Sequence, residues 1–376
     1  MYLAWFNCTI LAHQAKLEIS DSHFLFCATL AVFTFMITDQ QFTNDITRVL
    51  ALSILAFAFS TLITPLYTSF AYKHKWWKKS RSHSTTGEAL KVISKLRIKR
   101  TVPLMAGLVI IAAVSLITAI WNLDRAQTWL PLAALLGGGF VGLLDDIINI
   151  KGLGGNVAGL RAPIKFGMIT AVAIAAAWFF YFKLEFTSIN VPFAGEVAFA
   201  WLTIPLFILV IVSTSNAVNI SDGMDGLAGG LLVSAYTAFG VIALLQGNTG
   251  IAGFCFTVVG ALLSYVWFNI PPARFFMGDV GSFALGTSLG VVAMLTDTVF
   301  LLPLIALVFV IEAGSSLLQI TSKKLFHRRV LIAAPIHHHF EASGWPKTKV
   351  TMRFWVIGQV CAALGVILAL IGGFIE

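Results

Sequence analysis

Asn216-Ala217-Val218-Asn219-Ile220-Ser221-Asp222-Gly223-Met224-Asp225-Gly226-Leu227-Ala228 sets Asn219, Asp222 and Asp225 beside two glycines inside an otherwise apolar sequence. Ionisable groups at the edge of a membrane are costly unless something holds them there. Read as helix, the three recur at three-residue steps and share one broad face. Read as a loop between two spans, they are residues that dominate ordinary turns. In both cases Gly223 and Gly226 let a ligand or metal come close to the backbone.

The surrounding chain has 376 residues, 58% of them hydrophobic, only 11% charged and 31 of them Phe, which is too apolar for a soluble domain. The expected fold is all-α: a polytopic integral membrane protein of about ten transmembrane helices. A net charge of +8 would suit nucleic acid, but Lys and Arg gather into a few loops between apolar runs, the mark of membrane topology. We therefore expect no nucleic acid and a lipid bilayer as the surrounding medium. Cys8, Cys27, Cys255 and Cys361 lie far apart, with neither a disulfide framework nor zinc spacing. The first basic residue is Lys16, so no charged segment precedes an apolar core as in a cleaved signal peptide.

Spans are expected at 46–72, 102–121, 129–148, 166–183, 199–218, 227–245, 251–270, 281–296, 299–320 and 352–374. The run 24–37 is short for a span and either crosses or lies at the interface. We divide the chain into a 1–45 extension and a 46–376 transmembrane domain. The loops 73–100, 149–165 and 321–353 hold 20 of the 25 Lys and Arg residues, and one parity of crossings puts all three on the cytoplasmic side. Lys91, Lys95 and Lys99 against Leu90, Ile93 and Leu96 fit a basic amphipathic helix on the inner leaflet or a solvated charge run. The outer segment 185–196 reads as a turn or hairpin. Glu312, inside a span, needs a polar partner or a cavity.

The same parity gathers Asp145, Asp146, Asp222, Asp225 and Asp279 on one membrane face. Asp145 and Asp146 close an apolar helix, where a carboxylate pair opposes the macrodipole and repels itself. A bound cation resolves both conflicts. Hard oxygen ligands near phosphates favour magnesium, which takes one or two carboxylates and leaves room for substrate oxygens. Lys165 and Arg274 stand ready for phosphates, so the pattern points to phosphoryl chemistry at the membrane surface. In Pro335-Ile336-His337-His338-His339-Phe340-Glu341, three adjacent histidines cannot share one face, which argues against a three-histidine zinc site. Imidazoles reaching a pyrophosphate or sugar are the functional alternative to a structural loop.

Leu144-Asp145-Asp146, the 216–228 stretch, 269–282 and 334–355 resemble the motifs of the bacterial phospho-N-acetylmuramoyl-pentapeptide transferases, within the polyprenyl-phosphate N-acetylhexosamine-1-phosphate transferase superfamily. The resemblance runs from about residue 46 to the C-terminus, and 337–355 separates this branch from its relatives. It implies transfer of phospho-N-acetylmuramoyl-pentapeptide from UDP-MurNAc-pentapeptide to undecaprenyl phosphate, with Mg2+, giving lipid I and UMP for peptidoglycan synthesis in the bacterial inner membrane. It implies Asp279 as the metal ligand, Asp145 and Asp146 as the pair handling the lipid phosphate, and Asp222 and Asn219 as active-site polar groups. Gly223, Met224, Asp225 and Phe276 resemble a nucleoside pocket, with Phe276 stacking on uracil. Asn269 joins the substrate-binding set, His337 and His338 resemble the histidines near the sugar-phosphate, and Lys165 resembles a basic residue of the loop after the paired acids. A homodimer is compatible with it. The chain departs from the family pattern P-T-M-G-G at Leu104 and Ala106, and Asn149 stands where a lysine is usual.

Three rival readings share parts of this pattern. A GlcNAc-1-phosphate transferase of the same superfamily is argued against by the triple histidine. The CDP-alcohol phosphotransferases also carry D-G-x-x, but Ala-Arg follows there and Asp225-Gly226 here. A proton- or cation-coupled transporter would want its acids near the midplane, whereas these sit at span ends.

Overall fold

Glycines spaced four apart let helix backbones approach closely in a membrane, where apolar side chains gain nothing by leaving lipid. Two such pairs, Gly138/Gly142 and Gly286/Gly290, place the centre of this molecule. The computed structural model describes residues 40–77, 102–153 and 159–374. The 24–37 run, Glu88 and the Lys91, Lys95 and Lys99 repeat lie outside the described residues. The chain divides into Met1–Leu50 and Ala51–Glu376, and the candidate site with the helices that build it lies in the second.

The helices are α1 (Gln40–Lys73), α2 (Gly107–Trp121), α3 (Trp129–Lys151), α4 (Ala162–Lys183), α5 (Thr203–Ser221), α6 (Leu227–Leu245), α7 (Thr249–Asn269), α8 (Gly278–Leu295), α9 (Leu302–Ile305), α10 (Leu307–Phe326), α11 (Ile336–Ala342) and α12 (Lys347–Ile371). Among the described residues eight helices are long and apolar enough to cross a membrane, nine if the broken pair α9 and α10 is one span. The protein is therefore an all-α, multi-pass membrane protein. At 15 residues α2 reaches about 22 Å, short of the hydrocarbon core.

Nearly all of α8 is buried, with α3, α5 and α2 packed around it. Methyl groups on Gly138 or Gly142 of α3 would collide with the backbone of α8, and a methyl on Gly286 would meet the backbone of α5. Two polar groups in this core are satisfied across helices: Thr287 Oγ1 donates to Ala134 O at 2.9 Å, and Tyr236 OH donates to Leu285 O at 2.8 Å. Lipid-facing helices show the reverse pattern, with Leu62, Leu66, Trp178 and Met352 exposed.

Three expectations need correction. The span expected at 102–121 begins at Gly107, because the stretch before it is extended. Trp77 bridges Pro103 there, and Leu104 N donates to Trp76 O while Phe276 N donates to Pro103 O, both at 2.8 Å. Pro103 has no N–H for a helix, so the segment pairs sideways instead. The 299–320 span bends by 80° at Ala306, between α9 and α10. The 216–228 stretch is half helix and half turn: α5 runs to Ser221, Asp222 caps it, and Gly226 takes φ +77° to start α6, a left-handed conformation that glycine adopts without strain. The outer segment, read as a turn or hairpin at 185–196, is a β-hairpin, β1 (Ser188–Val191) against β2 (Gly195–Ala198).

Candidate active site

The C-terminal end of α3 and the N-terminal end of α8 meet because Gly142 lets the first turn of α8 lie against α3. Asp145, Asp146 and Asp279 thereby present carboxylate oxygens within 4.8 Å of one another. Lys165, from the first turn of α4, reaches into this group: its Nζ donates to Asp145 Oδ2 at 2.8 Å and to Asp279 Oδ2 at 2.7 Å. Leu160 N donates to Asp145 Oδ1 at 2.5 Å, and Val280 N donates to Asp146 Oδ2 at 3.0 Å. Ammonium and backbone amides therefore relieve the repulsion that the Asp145–Asp146 pair suffers at the end of α3. Three carboxylates and one ammonium carry a formal −2. Their number, spacing and hard oxygen chemistry fit a divalent metal that shares its shell with phosphate oxygens.

Asn219 joins this group to α5. Its Nδ2 donates to Ser282 Oγ at 2.9 Å, and Ser282 Oγ donates back to Gly278 O at 3.1 Å, fixing the first turn of α8 that carries Asp279. One turn further, Asp222 and Asp225 are half-buried while Met224 is buried beneath them. The turn is pinned from three sides. Gly226 N donates to Asn269 Oδ1 at 2.7 Å, Ala273 N donates to Asp225 Oδ2 at 3.2 Å, and Trp355 Nε1 donates to Gly226 O at 3.1 Å. Asn269 is buried, and its Nδ2 donates to Phe275 O at 2.7 Å, so its amide ties the turn to the 270–276 loop. Phe276 is half-buried on an apolar knot of Leu104, Met105 and Val280. The two departures at Leu104 and Ala106 are both buried.

The histidine run forms α11 and its three rings point three ways. His337 is fully buried, its Nδ1 2.7 Å from Glu312 Oε2 of α10. Glu312 thus finds the polar partner its position demanded. A methyl on Gly223 would collide with His337 Nε2, so the imidazole backs the Asp222–Gly226 turn. His338 Nδ1 lies 2.9 Å from Glu341 Oε2, and Lys347 Nζ lies 3.3 Å from Glu341 Oε1. The His338 hydrogen bond, opposed by burial and helped by the Lys347 charge, holds the Glu341 carboxyl down at about 2. His339 Nδ1 accepts from Ile332 N at 3.2 Å.

The residues singled out from sequence thus fall into two adjoining groups. Asp145, Asp146, Asp279, Lys165 and Asn219 form the acidic group. Asp222, Gly223, Met224, Asp225, Asn269 and His337 form the turn beside it, with Phe276 and His338 flanking. Sequence reasoning missed the Glu312–His337 pairing across 25 residues and the row that accompanies it on α10. Ser315 Oγ accepts from Ile336 N, Gln319 Oε1 accepts from Val330 N and Leu331 N, and Ser322 Oγ donates to Arg328 O. Glu312, Ser315, Gln319 and Ser322 recur at helical spacing along one buried face of α10, and that spacing is the available signal.

Residues 128–297 match Glycosyl transferase family 4. A protein of Chloroflexus aggregans named phospho-N-acetylmuramoyl-pentapeptide-transferase is 39% identical over 344 residues, covering 88% of this chain and 92% of the relative. Its counterpart of the same name in Chloroflexus aurantiacus is equally similar, at 39% over 344 residues. One from Latilactobacillus sakei subsp. sakei is 40% identical over 272 residues, covering 71% of this chain and 84% of the relative.

Proposed function

The chain belongs to the phospho-N-acetylmuramoyl-pentapeptide transferases, and from that membership we infer that it moves phospho-N-acetylmuramoyl-pentapeptide from UDP-MurNAc-pentapeptide to undecaprenyl phosphate. The products are lipid I and UMP, and the reaction belongs to peptidoglycan synthesis. The observation that carries the chemistry is the meeting of Asp145, Asp146 and Asp279 around Lys165 at one end of the bundle. Asp279, with the paired acids beside it, would hold Mg2+, which when bound neutralises pyrophosphate and stabilises the departing UMP.

The chain's own groups supply the rest. Asp145 or Asp146 receives the acceptor phosphate's proton or orients that phosphate for in-line attack on the β-phosphorus of the pyrophosphate. Lys165 and the amides around the acids neutralise charge on the transferred phosphoryl group. Phe276 stacks on uracil, while Gly223, Met224, Asp225 and Asn269 shape the nucleoside pocket. Asn219 and Asp222 set the geometry between the two groups, and His338 faces the sugar-phosphate with His337 fixed behind it. The site faces the cytoplasm, where the nucleotide substrate is found, a reading supported by the gathering of Lys and Arg in a few loops of the sequence.

The test is UMP release from UDP-MurNAc-pentapeptide and undecaprenyl phosphate in detergent, with UDP-GlcNAc run in parallel. Wild type requires Mg2+ and prefers the muramoyl substrate. Asp279→Asn and Asp145→Asn stay folded and lose at least about a thousandfold in rate, the size expected for removing a metal or charge-stabilising group. Equal turnover of UDP-GlcNAc would move the chain to the other branch of the superfamily. Covalent capture of phospho-sugar on the protein without lipid acceptor would replace the direct route by a two-step one.

A further inference from the structure

The cation already inside the acid cluster leads beyond this reading while resting on its metal site. Lys165 Nζ sits at hydrogen-bond distance from Asp145 Oδ2 and Asp279 Oδ2 at once. Those oxygens come from two helices, α3 and α8, and a divalent metal held by both helices would draw on them. A magnesium ion takes carboxylate oxygens at about 2.0–2.1 Å, so it and an ammonium cannot both span the same pair. Two cations within a few ångströms in a largely buried setting also repel strongly.

We propose that Lys165 is a tethered counter-ion that competes with the divalent metal: its ammonium bridges Asp145 and Asp279 until the metal takes those oxygens, and is then released toward the incoming phosphates. Three features of the chain support this. Carboxylates held this close by helix packing repel one another, and the Lys165 ammonium offsets that repulsion. Lys165 lies in the first turn of α4, where the helix dipole disfavours a cation, so the acids rather than its own helix hold it in place. Its four-carbon stem lets the ammonium swing several ångströms without moving α4. The exchange also orders events at the site, because the positive charge becomes available to phosphates only after the metal has arrived.

Two measurements on the full-length purified protein test this. First, acetic anhydride labelling of Lys165, read by mass spectrometry, is expected to speed up severalfold when Mg2+ is added. Unchanged or slower labelling overturns the proposal. Second, Mn2+ binding is followed by electron paramagnetic resonance. Lys165→Met, its folding verified by melting temperature, should bind Mn2+ about tenfold more tightly or better, since the metal no longer breaks two charge-assisted hydrogen bonds. Lys165→Arg, which keeps a cation there, should stay near wild type. Equal or weaker binding by Lys165→Met overturns the proposal, as the lysine would then build the metal site and not contest it. If neither wild type nor Lys165→Met binds Mn2+ while Asp279→Asn is equally silent, the metal site itself falls and the proposal with it.

Discussion

At the scale of single residues, the acids were legible and their spacing was not. A carboxylate in an apolar chain announces itself by its cost, so Asp145, Asp146, Asp222, Asp225, Asp279 and Glu312 stood out at once. What brings Asp145 and Asp146 to Asp279 is an absence of side chain at Gly142, which carries no such signal. A methyl there would collide with the Asp279 carbonyl oxygen and lie 2.5 Å from Val280 Cα. Backbone on both sides leaves little room to yield. Gly142→Ala should therefore cost about 1–3 kcal/mol of stability, as overpacking does, and should lower turnover by more than that loss explains by separating the two halves of the acid cluster. Gly167→Ala, with nothing within 4 Å of the added methyl, is the control and should leave melting temperature and turnover intact. Full activity in Gly142→Ala would mean that the α3–α8 approach does not set the acid geometry. Asn149 presents the opposite case: its Oδ1 is buried and has no hydrogen-bond partner among the described residues, and nothing in the structure explains the exchange of the family's lysine for it.

At the scale of elements, hydrophobic runs located the helices but not their breaks. The run 102–121 is apolar throughout, yet Pro103 and the sideways pairing with Trp76 and Phe276 make its first residues extended, because a span's hydropathy says nothing about its hydrogen bonds. The bend at Ala306 is hidden for the same reason. Beyond the bend, α10 carries a polar row that anchors residues 328, 331 and 336 and so positions α11. The Glu341 contacts link α11 to α12 and give this region a pH signature. Glu341 lies outside the spanning segments, and its carboxyl is held near 2 by His338 and then Lys347, below the usual carboxylate range. A depressed carboxyl contributes stability that is present above its unfolded value, about 4.3, and is lost as pH falls through the folded one. Wild type should thus melt higher than Glu341→Gln near neutral pH, with the gap closing progressively between about pH 4.5 and pH 2. A gap independent of pH would show that Glu341 acts by packing and not by charge.

At the scale of the whole molecule, the sorting of charge implies an orientation that the helices alone do not supply. The acidic cluster, the 222–226 turn and α11 lie at one end of the bundle, since Lys165, Asn219 and Gly223 bind them together. α8 runs from Asp279 at that end to Leu295, and beyond it both Asp297 carboxylate oxygens accept from Asn190 N of the hairpin, each at 3.0 Å. The hairpin therefore marks the opposite end. Among the described residues most Lys and Arg lie at or near the acidic end, and lysine and arginine are retained on the cytoplasmic side. Single cysteines placed at Ser343 and at Phe193, both exposed, should report opposite faces once Cys8 and Cys27 are replaced by serine. Cys255 and Cys361 are buried and should stay silent. In intact cells a membrane-impermeant maleimide should label the Phe193→Cys protein and spare Ser343→Cys, with the pattern reversed in inside-out vesicles. Labelling of both from one side would break the separation of ends described here. A clean inversion would leave the fold intact but put the acids where no cytoplasmic nucleotide reaches them, and the proposed reaction would have to be abandoned.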